Sequence, residues 1–175
     1  MICLSITVPS QAAELNGTMT SLLKLMEGDV TSDLNPGDTE GLLKIQFSGT
    51  AENEMFSAHK LLDIANNSGD LTVTIPSGKA QEFWNAYTGK TVATISDIKT
   101  KLNEYGSDPA AQSNSVIQKF LELGDEAKPD GVKSSVVDGK AQIATDFGFY
   151  FIQQIKAPSN GHIASAPILA CLPMQ

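Results

Sequence analysis

Apolar and polar positions alternate most regularly from Ala141 to Phe151. The odd positions read Ala141, Ile143, Thr145, Phe147, Phe149 and Phe151, and the even ones Gln142, Ala144, Asp146, Gly148 and Tyr150. Side chains of a strand point alternately to its two faces, so this run predicts a strand with one apolar and one mostly polar face. Asp138-Gly139 and Asn160-Gly161 bracket it. Both pairs tolerate the positive φ that a two-residue type I′ hairpin loop requires. The first loop sets Val137 opposite Lys140, Val136 opposite Ala141 and Ser134 opposite Ile143. The second sets Phe149 opposite Leu172, Phe151 opposite Ala170, Gln153 opposite Ile168 and Tyr150 opposite Cys171. The expectation is an antiparallel meander over 132–172 with its phenylalanines facing a core.

Upstream, Ile2, Leu4, Ile6 and Val8 alternate with polar residues as a first strand. A helix is expected from Ser10 to about Glu27, with Leu15, Met19, Leu22 and Met26 on one side. Residues 28–41 show neither period and carry Asp29, Asp33, Asp38 and Glu40 around Asn35-Pro36-Gly37; a second strand follows through Leu43, Ile45 and Phe47. Met55, Ala58, Leu62 and Ala65 stand at helical spacing, which predicts a helix over 52–67 closed by Gly69. Leu71, Val73 and Ile75 make a third strand. Three helices complete the count: one capped by Ser77 and stopped at Gly89, one over 96–105, and one opening with Asp108 and Pro109 and ending at Gly124.

Each strand pairs an apolar face with a face of Ser, Thr, Gln, Lys or Asp, whereas strands buried on both sides read as continuous aliphatic runs. The expected fold is therefore a single α+β domain spanning 1–175. It is a two-layer sandwich, with a mixed sheet of about six strands ending in the C-terminal meander and about five helices on one face. The polar sheet face stays open to solvent or a partner.

Composition narrows the function. The chain has 175 residues, 41% of them hydrophobic, and a net charge of −8. All twelve basic residues are lysines. Arginine is the usual bidentate reader of phosphate and guanine, so an acidic chain without it is a poor binder of nucleic acid. Cys3 and Cys171 both fall in expected strands and read as buried free thiols rather than a disulfide. Residues 2–8 are too short and uncharged for a signal peptide, and no apolar run reaches membrane-spanning length. The expected location is cytoplasmic, or outside the cell by a route without a signal peptide.

His59 and His162 lack the companion ligands a metal needs. Asp29, Asp33 and Glu40 fit positions 1, 5 and 12 of a calcium loop, but Leu34 stands where that loop needs glycine. Gly89-Lys90-Thr91 lacks the first glycine of a phosphate loop, and three Ser-x-x-Lys matches lack their companion motifs. No catalytic residue, metal or cofactor is expected. The function these readings leave is a non-enzymatic binding or assembly protein (a structural component, inhibitor or secreted effector) with a protein partner or self-association. Its expected surface is the polar sheet face: Lys44, Gln46, Thr72, Thr74, Gln142, Asp146 and Tyr150. Two alternatives stay open: a hydrolase or transferase using Asp/Glu chemistry, and a membrane-active protein inserting the Phe147–Phe151 hairpin.

Overall fold

A computed structural model describes residues 2–8, 17–28, 30, 32, 34–47, 54–156 and 166–173, with the backbone path alone for 2–8, 45–47 and 156. The fold is α+β and mostly antiparallel, with four α helices among the described residues. Eight strands occur among the described residues, where about six were expected, and four helices where about five were expected. In chain order the elements are β1 (Ile2–Val8), α1 (Thr18–Glu27), β2 (Glu40–Phe47), β3 (Met55–Asn67), β4 (Asp70–Thr74), α2 (Lys79–Thr88), α3 (Ile95–Asn103) and α4 (Pro109–Leu121). After a 3-10 turn at Asp125–Ala127 come β5 (Gly131–Ser135), β6 (Lys140–Asp146), β7 (Gly148–Lys156) and β8 (Ile168–Leu172).

The largest correction is β3. Where a helix was expected over 52–67, Met55–Asn67 forms a strand of 13 residues, the longest among the described residues. Met55, Ala58, Leu62 and Ala65 do stand at helical spacing, but Ala65 is exposed, and the residues buried here are Phe56, Ser57, Ala58, His59, Leu61, Leu62 and Ile64. A helix would turn half of these to solvent, whereas a strand enclosed on both faces buries them all. Gly69 caps no helix. Ser68 (φ 57°) and Gly69 (φ 101°) are the two central residues of a type I′ hairpin joining β3 to β4.

These strands form two sheets. The central sheet runs β4-β3-β7-β8, with β5 lying on the same edge of β3 as β4; the outer sheet runs β1-β2-β6, with β1 parallel to β2. One face of the central sheet carries the four helices, seen in the ring contacts of Trp84 on Phe149 and Phe120 on Phe151. Its other face presents Phe56, Ala58, Tyr150, Ile152, Ala170 and Leu172, all buried. Buried Leu43, Ala141 and Ile143 line one side of the outer sheet. Thr145 Oγ1, on that same side of β6, donates to Tyr150 Oη across 2.6 Å, which ties the two sheets together. The expected two layers with an open sheet face are thus three: helices, central sheet, outer sheet. The helices do share one side.

The meander is present in part. Asp138 (φ 52°) and Gly139 (φ 74°) make the expected hairpin turn, and Val137 and Lys140 exchange backbone hydrogen bonds of 2.9 and 3.0 Å. Beyond that pair the strands part, β5 joining β3 and β6 joining β2, so Val136–Ala141 and Ser134–Ile143 do not form. The expected single strand 141–151 bends at Phe147. Its N–H donates to Thr39 O beside β2, while its carbonyl accepts from Ile64 N of β3. A Cβ on Gly148 would lie 2.6 Å from Leu62 O, so the bend admits no side chain there. Pairing of β7 with β8 is shifted by one residue from expectation, with Phe149 opposite Cys171 and Tyr150 opposite Ala170. Every residue of β8 is buried, so neither register exposes an apolar side chain, and alternation has nothing to select. The Asn160-Gly161 turn lies outside the described residues, as does His162.

The helices follow their caps. Asp108 accepts from Ala111 N, with Pro109 in the first turn of α4. Thr94 and Asp97 cap α3 reciprocally. Gly17, expected inside a helix, stands at the start of α1 in a left-handed conformation, and residues 9–16 lie outside the described set. Gly78 rather than Ser77 is the N-cap of α2.

Candidate functional site

The residues expected to form one polar sheet face are divided between the two sheets. Lys44 and Gln142 are cross-strand partners in the outer sheet, as are Gln46 and Lys140, and Asp146 ends the same ladder opposite Glu40. Gln142, Ala144 and Asp146 are exposed, on the side of β6 turned away from buried Ala141 and Ile143. Thr72 and Thr74 are exposed on β4, in the central sheet. Tyr150 must be withdrawn from the surface: it is 1% exposed between the sheets. Its hydroxyl donates to Asp146 O at 2.6 Å, fastening the bend between β6 and β7. Burial raises its pKa, partly opposed by the Thr145 hydrogen bond.

Lys60 sits beside this bend, 2.9 Å from Asp63 and 3.5 Å from Asp146. Burial works against its charge, but the hydrogen bond to Asp63 and the neighbouring anions outweigh it and raise the pKa. All three side chains stay partly in water, so the cluster stabilises modestly.

Two long cavities mark where β5 and β6 part. One of about 440 Å³ lies between Ser134, Ser135 and Val137 on one side and Lys140 and Gln142 on the other. The next, of about 270 Å³, lies between Val132 and the Glu40, Ala144, Thr145 and Asp146 wall.

A third groove, of about 580 Å³, opens over Ser57 and His59 of β3, with Lys79, Lys128, Asp130 and Lys133 around it. His59 Nδ1 lies 2.6 Å from Pro129 O and Nε2 lies 2.8 Å from Ser57 Oγ. The carbonyl can only accept, so Nδ1 carries the proton and Nε2 accepts from the serine hydroxyl. Burial lowers the histidine pKa, the Pro129 hydrogen bond acting against it, which keeps the ring neutral near pH 7. This is the geometry of a base beside a nucleophile. Yet Ser57 is 1% exposed, and the imidazole packs on Phe120 and Phe151 at 5.4 and 6.4 Å. The pair is a clasp that fastens the 128–131 segment to β3. The i, i+2 spacing of Ser57 and His59 is informative only in a strand, where it puts both side chains on one face, and not in the helix expected over 52–67.

Other candidates fall away. No group of three His, Cys, Asp or Glu side chains among the described residues is placed to hold a metal ion. Asp29 and Asp33 of the acidic 28–41 loop lie outside the described residues. The rest of that loop is pinned: Asn66 Nδ2 donates to Asn35 O and Asp38 O, each at 3.0 Å. Cys171 is free and buried, its thiol pushed up to about 12 by burial. Cys3 belongs to the other sheet. No family model matches the chain, and no curated protein matches it either.

Proposed function

We propose that this chain is a non-enzymatic binding or assembly protein whose contact surface is the outer sheet, centred on the cross-strand pair Lys44–Gln142. The observation that carries the reading is the asymmetry of that sheet. Gly41, Leu43, Ala141 and Ile143 are buried, while Lys44, Gln142, Ala144 and Asp146 lie on the opposite side of the sheet, where Gln142, Ala144 and Asp146 are exposed beside the cavities that β6 shares with β5. Such a face, polar but not strongly charged, suits a protein surface better than a phosphate or a membrane. The Asp/Glu alternative asks for paired, desolvated carboxylates. Glu54 is the one buried carboxylate among the described residues, and Asp125 and Asp130 beside the His59 groove are 98% and 105% exposed. The membrane alternative asks for outward phenylalanines, and Phe147, Phe149 and Phe151 are each at most 1% exposed.

Sedimentation velocity from micromolar to millimolar protein tests the proposal. Concentration-dependent association is expected, weakened about tenfold or more by Lys44→Glu and left alone by Thr72→Lys on the central sheet. A strict monomer, or association indifferent to Lys44→Glu, would count against the outer face.

A further inference from the structure

The groove over Ser57 and His59 gathers charge in a way the outer face does not. Ser57 stands opposite Lys133 of β5 and Gln153 of β7, so these three side chains form one row across the central sheet. His59, two residues on, packs its ring on Phe120 of α4, which puts the row on the helix side. The start of α2 brings Lys79 to the same groove, and the residue after the 3-10 turn brings Lys128. Three of the chain's twelve lysines, from three separate stretches, thus line one concavity of about 580 Å³. That volume falls in the range of roughly 300–1,000 Å³ typical of small-ligand sites. Two carboxylates share the rim: Asp125, 3.0 Å from Lys128, and Asp130, 4.0 Å from Lys79. Both are almost fully exposed, so these pairs hold weakly and exchange readily for another anion. Lys133 has no acidic partner among the described residues.

We infer that this groove binds the oxyanion group of a small organic molecule, a phosphate monoester or a carboxylate, between Lys79, Lys128 and Lys133. The site shares no residue with the outer-sheet surface and does not depend on it. Three ammonium groups converging from different stretches supply, as point charges, what an arginine fork would otherwise supply. The ligand is small because the chain's net charge of −8 repels an extended polyanion outside this cluster. The Gln153 amide adds a hydrogen-bond donor in the row beside Ser57, and Ile155, 39% exposed, offers the ligand's body an apolar contact. His59 reports on the same space. Burial chiefly lowers its pKa, the Pro129 hydrogen bond opposing, and Lys128 and Lys133 lower it further against Asp130. An anion seated between those lysines offsets their effect on the ring.

The probes are inorganic phosphate and acetate, titrated separately into the full chain at an ionic strength held constant with sodium chloride. Amide NMR should show saturable shifts at Gly131, Lys133 and Gln153 with at least one of them, half-complete in the millimolar range. The Cε1–H signal of His59 should then titrate at a higher pH than in the free chain. The tighter of the two probes tells a phosphate monoester from a carboxylate. Lys79→Gln combined with Lys133→Gln, both at exposed positions, should weaken this binding about tenfold with the rest of the spectrum unchanged. Lys44→Gln, on the outer sheet, should leave it as it was. Shifts that sodium chloride alone reproduces, shifts centred outside the groove, or binding indifferent to the double substitution would overturn the inference. So would the lack of saturation by either anion at tens of millimolar.

Discussion

His59 shows how one side chain can take its role entirely from its surroundings. Its ring is held at both nitrogens, and a Cβ on Gly131 would come within 2.7 Å of its Cε1, so the 128–131 segment can close over it only with glycine at that position. Burial lowers its pKa in the folded chain from the ordinary 6.5. Between the lowered value and 6.5 the unfolded chain therefore binds more protons than the folded one. The stability His59 contributes is complete above pH 6.5 and declines as the pH falls through 6.5 toward the folded-state pKa. Chemical denaturation of wild type and His59→Gln across pH 5 to 8 measures this. The difference between the two should be flat at the alkaline end and shrink toward the acid end. A pH-independent difference would mean that the ring titrates alike in both states.

At the scale of elements, β3 and its partners show what the chain discloses and what it conceals. The pairing of β3 with β7 slips between Lys60 and Leu62, leaving Leu61 as an extra residue. That slip lets adjacent Leu61 and Leu62 both be buried, and it breaks the alternation by which a strand is recognised in sequence. Trp84 of α2 meets the bulge, its Nε1 donating to Leu61 O at 2.8 Å. Trp84→Phe keeps an aromatic ring but strands that carbonyl, at an expected cost of about 1–3 kcal/mol, read as a lower denaturation midpoint with unchanged slope. An unaltered midpoint would show that the bulge needs no partner. Elements with one wet face were legible: β6 alternates through buried Ala141 and Ile143 and exposed Gln142 and Ala144, and the caps at Asp108 and Gly89 stand where the sequence puts them. Elements enclosed on both faces were not. β3 carries no strand signature, β8 no register signal, and Tyr150 shares its even-numbered positions with polar Gln142 and Asp146 although it is buried. The polar residues divide the same way, with Lys44 and Gln142 opposite one another in the outer sheet, a pairing the sequence did not disclose, and Tyr150 inside.

For the whole molecule, the three layers follow from one bend. The chain leaves the outer sheet at Phe147 and enters the central sheet at Gly148, and the Tyr150 hydroxyl closes the corner behind it. Burying Phe147, Phe149 and Phe151 around this corner contributes on the order of 5–9 kcal/mol before entropy is counted. The bend carries β6 into the outer sheet beside β2, and that leaves the outward face on which binding is proposed. Amide hydrogen exchange along 140–152 of the free chain tests this arrangement most directly. Fast and slow amides should alternate through Lys140–Asp146, where one edge is bonded, and give way to continuous protection through Gly148–Ile152, bonded to β3 and β8 on either side. Unbroken protection across the whole stretch, as in a strand paired on both edges throughout, would contradict it.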